Sequence, residues 1–97
     1  MDETQKKEYE TQLRLAADRM GVPDHLIGGL MRYIINGIEP GGFLEAVLSN
    51  NLKEAVSRAD ENSLAGLAQL VKFLYNDAPQ GCWGSKEKYA NWTGVEG

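Results

Sequence analysis

The chain has 97 residues, 42% hydrophobic and 25% charged, with a formal net charge of −4. That length makes one domain around one modest core, and the composition is that of an ordinary folded protein. The acidic balance argues against broad binding to duplex nucleic acid, whose affinity comes from neutralising phosphates, and the single cysteine, Cys82, excludes an intrachain disulfide and a cysteine-built zinc site.

The start, MDETQKKEYE, is polar and unlike a secretory signal. No stretch approaches the roughly 18 apolar residues that span a bilayer, so no membrane contact is expected and the setting is a reducing cytoplasm. A first helix is predicted from Thr4 to Met20, where Tyr9, Leu13, Ala16/Ala17 and Met20 recur at helical spacing. Its other face carries Lys6, Glu10, Arg14 and Asp18, alternating in sign four residues apart. Gly21 stops it.

The second helix is predicted from Pro23 to Asn36, with Leu26, Leu30, Tyr33 and Ile34 as its apolar stripe. Gly28-Gly29 lies inside it, at a cost of about 1 kcal/mol per glycine relative to alanine. That cost implies close approach, by another helix or else by a ligand or second subunit. Next comes Pro40 to Asp60. Leu44, Leu48, Leu52, Ala55/Val56 and Ala59 keep helical phase through Ser49-Asn50-Asn51. The continuity predicts one bent helix or two nearly coaxial ones, with the break at the polar triplet and Asn51 with Glu54 as a capping pair.

The fourth helix is predicted from Asn62 to Asp77, with Leu64, Leu67, Leu70/Val71, Phe73 and Leu74 as a wide apolar stripe. Ala78-Pro79 ends it. Gln80 to Gly84 reads as a compact loop, Ser85 as a cap, and Lys86 to Trp92 as a short last helix. No alternating β-branched run is long enough for a strand. The expectation is an all-α, compact bundle of four to five short helices, one domain over residues 1–97, with 93–97 a loose tail and self-association burying further surface.

The residues carry no enzyme signature. His25 lacks metal-ligand spacing, Cys82 lacks an adjacent base, and no serine sits in a nucleophile-elbow motif. No cofactor or metal is expected. Binding features are better represented. Gly41 and Gly42 precede a helix start, where free N–H groups favour an anion. Arg32, Lys53, Arg58 and Lys72 are isolated cations suited to phosphate. Tyr33, Tyr75 and Trp83 offer flat faces for a base, and Asn76 offers paired donors and acceptors for a base edge. The plain alternatives are helix starts, core aromatics and caps.

Two strings, GIEPGGFLEAVLSNNLKEAVSRAD and FLYNDAPQGCWGS, together resemble a family of small proteins encoded by bacteriophages and prophages. The likeness runs from about Val22 to Trp92. It implies an accessory or counter-defence protein acting in the host cell cytoplasm. Within that class it implies a sponge, a homo-oligomer that sequesters a small nucleotide signal. The competing expectation is an acidic inhibitor or adaptor of a host protein, and a third is a small enzyme acting on a nucleotide.

Overall fold

Helix α1 (Glu3–Met20) starts where the Asp2 carboxylate accepts the Gln5 N–H at 2.8 Å while the Gln5 side chain accepts the Asp2 N–H. This reciprocal box satisfies two of the donors that a helix start leaves open. The structure is a computed structural model, and it describes residues 1–95. Among these it contains seven α-helices, one 3-10 turn at Gln80–Cys82 and no strand. The fold is all-α.

Helix α2 (Asp24–Asn36) is the centre of the molecule. Leu26, Ile27, Leu30, Met31, Tyr33, Ile34 and Ile35 are all buried, a stripe wide enough to meet neighbours on several sides. Gly37 ends it at φ 71°, a left-handed position that glycine takes without steric cost. Leu13 and Ala17 of α1 join this core, as do Leu70, Phe73 and Leu74 further along the chain.

The Pro40–Asp60 region departs from expectation. It forms two separate helices, α3 (Gly42–Leu48) and α4 (Leu52–Arg58), and they fold back on each other as a hairpin. The start of α3 touches the end of α4: a Cβ placed on Gly42 would lie 2.5 Å from Arg58 Nη1. Coaxial helices would hold those residues more than about 20 Å apart at 1.5 Å rise per residue. Asn50 reverses the chain at φ 59°, a conformation that asparagine tolerates better than most residues. Asn51 then caps α4 through the Glu54 N–H at 3.2 Å. The apolar phase is therefore not one continuous core stripe. Leu44 and Leu48 are buried, whereas Leu52 is 68% exposed and Val56 also faces solvent.

The fourth predicted helix is also divided, into α5 (Glu61–Ala65) and α6 (Leu67–Asp77). The break at Gly66 has a packing cause. The Pro23 ring at the start of α2 sits where a side chain on Gly66 would lie. Asp60 caps α5 through the Ser63 N–H at 2.7 Å. Helix α7 (Lys86–Asn91) is capped by Ser85 as expected. These two divisions turn four or five predicted helices into seven.

The tail is the other correction. Trp92 Nε1–H donates to the Tyr33 and Ile34 carbonyls, both at 3.1 Å, at the end of α2, where the Tyr33 carbonyl also accepts the Gly37 N–H. Val95 N–H donates to the Ile35 carbonyl at 3.2 Å. Residues 93–95 are thus docked rather than loose, and residues 96 and 97 lie outside the described residues. No helix among the described residues is long and apolar enough to cross a membrane.

Candidate ligand-binding site

Two neighbouring grooves share Gly42 and Arg58 in their walls. The first encloses about 380 Å³ and is built by α2, the α3 start, the end of α4 and the α5 cap. On α2, His25, Gly29 and Arg32 share one face because they recur at helical spacing. Arg32 lies back along its own helix, as long helical side chains do. A Cβ on Gly28 would sit 3.4 Å from Arg32 Nη1, and one on Gly29 would sit 3.8 Å from Nη2 and 3.5 Å from Leu44 Cδ1. These are ordinary contact distances, so the close approach expected at Gly28-Gly29 is not present; the nearest groups are the Arg32 guanidinium of the same helix and the Leu44 side chain.

Arg58 enters from the opposite wall. Its Nε–H donates to Glu54 at 3.0 Å, an exposed pair one helical turn apart. Such a pair contributes about 0.5 kcal/mol or less, but it sets the direction of the guanidinium, which passes over Gly42. No other hydrogen bond engages its terminal nitrogens among the described residues. Two guanidiniums and His25 thus face a single carboxylate, Asp60, and the groove suits an anion.

His25, Ser63 and Asp60 form a linked group at the same wall. His25 Nε2 lies 2.9 Å from Ser63 Oγ and 4.0 Å from Asp60 Oδ1. The Asp60 carboxyl is held below its ordinary range, first by the Ser63 backbone N–H, then by the Ser63 hydroxyl, and further by His25. His25 Nε2 and Ser63 Oγ share one hydrogen bond, whose direction follows the histidine tautomer. This bond ties the start of α2 to the start of α5.

The second groove encloses about 590 Å³ and has the opposite character. Glu39, Glu45 and Glu54 face Arg58 and Lys86, three carboxylates against two cations, with the Tyr89 ring and Asn51 in the same wall. Tyr89 is stacked on Tyr33, ring centroids 5.2 Å apart and planes 18° apart. Burial raises the Tyr89 phenol pKa, and the fields of Glu45 and Glu39 raise it further.

The structure brings together four of the sequence candidates: Arg32, Gly41, Gly42 and Arg58. Tyr33 is corrected to a core residue. It is buried, and its hydroxyl donates to the Cys82 carbonyl at 2.7 Å and to the Tyr89 carbonyl at 3.3 Å, so neither its ring nor its hydroxyl is open to a base. Lys53 stands exposed on α4, and Lys72, Tyr75 and Asn76 stand exposed on α6; none lines either groove. Trp83 is half-buried against the core. The role expected for bare N–H groups also changes. At seven residues α3 is too short to supply much dipole, so the anion-attracting charge comes from Arg32 and Arg58 and the glycines contribute space. His25, Ser63 and Tyr89 were missed as groove residues. His25 left a signal in its spacing from Gly29 and Arg32 along α2, and Tyr89 in the run of aromatics between residues 75 and 92.

Compared with known proteins, the chain matches no family model, no curated protein and no solved structure.

Proposed function

We propose that this chain is a non-catalytic binding protein that takes up a small, phosphate-bearing nucleotide signal and holds it unchanged. In the phage setting that its motifs suggest, it serves as a counter-defence sponge in the host cytoplasm, assembled from several copies. One observation carries the reading. Arg32 and Arg58 come from different helices yet line the same groove, Arg58 passing over Gly42, where a side chain would meet it. Two guanidiniums converging on a small concavity are the chemistry that holds a phosphate. Isothermal titration with a panel of linear and cyclic nucleotides tests it. Saturable binding with recovery of intact ligand is expected, and silence across the panel from folded protein rejects it.

A second reading, inhibition of a host protein, draws on the net charge of −4 and on exposed apolar side chains at Leu52, Val56, Leu64 and Tyr75. Recovery of one stoichiometric host protein on the immobilised chain, together with no nucleotide binding, would favour it.

A further inference from the structure

We propose that the nucleotide carries guanine, its phosphate in the groove of Arg32 and Arg58 and its base in the adjoining groove beside Tyr89; this rests on the nucleotide-binding reading above. The grooves are adjacent compartments divided by one side chain. Arg58 and Gly42 belong to both walls, so a ligand reaching across Arg58 touches both. Their combined space, about 590 and about 380 Å³, lies within the roughly 300–1,000 Å³ range of small-ligand sites.

The two compartments differ in sign, and that difference selects the ligand. The first suits an anion. The second offers carboxylates, which only accept hydrogen bonds. Glu54 is committed to Arg58, but Glu39 and Glu45 form no ion pair among the described residues. Both act on Tyr89, whose ring is already the outer member of a parallel stack with the buried Tyr33. A planar base beside Tyr89 would extend that stack. Guanine presents two adjacent donors, N1–H and N2–H, which match the two oxygens of one carboxylate. Adenine presents a donor beside a bare acceptor nitrogen, which a carboxylate repels. Charge-assisted hydrogen bonds of this kind are the strong ones. A free base without phosphate would leave the Arg32 end unused, and inorganic phosphate would leave the Glu45 end unused.

Calorimetric titration of the whole chain with GMP, AMP, guanosine and inorganic phosphate tests the assignment, alongside E39Q, E45Q, their double variant and R32A. GMP should bind at least about tenfold more tightly than AMP, and more tightly than guanosine or phosphate alone. The double E39Q/E45Q variant should lose that preference, binding GMP about tenfold more weakly than wild type and AMP no more weakly. GMP and AMP binding equally to wild type would overturn the guanine assignment and leave nucleotide binding standing, as would a preference that survives in the double variant. No binding of any of the four probes would overturn the guanine assignment, and GMP binding unchanged in R32A would overturn both readings.

Discussion

Arg32 and Arg58 reach the first groove from different helices, and Arg58 passes over Gly42. At Gly42 the fit is tight. A Cβ there would lie 2.5 Å from Arg58 Nη1 and 3.2 Å from its Cδ, both on a flexible side chain that can swing away. Gly42→Ala should therefore leave stability within about 1 kcal/mol of wild type by urea titration, because no core contact is lost. It should also weaken nucleotide binding about tenfold by moving the guanidinium. Gly41→Ala is the control. Nothing lies within 4 Å of its added Cβ, so both fold and binding should persist. The α2 half of this groove was legible in the sequence, since His25, Gly29 and Arg32 share a helical face. Its closure by Arg58 was not, because that depends on a chain reversal sixteen residues wide, between Gly42 and Arg58.

At the scale of elements, the seven helices follow from where caps and close contacts fall. Asn51, Asp60 and Ser85 each accept a backbone N–H at a helix start, and Asn51 and Ser85 were readable as caps. Two breaks decide the topology, and they differ in kind. Asn50 carries its left-handed conformation locally, inside a polar triplet that already marked an interruption. The apolar phase running through that triplet pointed to coaxial helices, and it misled because Leu52 and Val56 face solvent. Gly66 gave no local signal, because its role is set by the distant Pro23 ring. Gly66→Ala should accordingly destabilise the fold by about 1–3 kcal/mol through overpacking. Gly28→Ala should do the reverse. Its Cβ would meet Arg32 Nη1 at 3.4 Å, an ordinary contact, so the gain in helix propensity of about 0.5–1 kcal/mol should appear as added stability in urea.

For the whole molecule, the core's titratable groups set its pH limit. Burial raises the Cys82 thiol from 9.0 to about 12, and burial likewise lifts the Tyr33 and Tyr9 phenols above their ordinary range. Each group favours its neutral form when folded. Well below pH 9 the unfolded chain is neutral at these positions too and stability is unaffected. Between about pH 9 and 12 the unfolded chain loses protons that the folded chain keeps, so stability falls as pH rises. The urea midpoint should drop over that range, and a folded Cys82→Ala variant should show a shallower decline. Cys82 in native protein should also resist thiol reagents at pH 8, since it is fully buried and protonated. The all-α class and the apolar positions of α1 and α2 were legible from helical spacing. The docking of residues 93–95 was not, because it depends on Trp92 reaching carbonyls that only the folded α2 end presents. The central claim is that Arg32 and Arg58 together hold a phosphate-bearing nucleotide, and titration calorimetry of wild type against Arg32→Ala tests it most directly. The prediction is saturable binding of at least one nucleotide, weakened about tenfold or more in the variant with its urea midpoint unchanged. Equal binding by the two proteins, or none by either when folded, would contradict it.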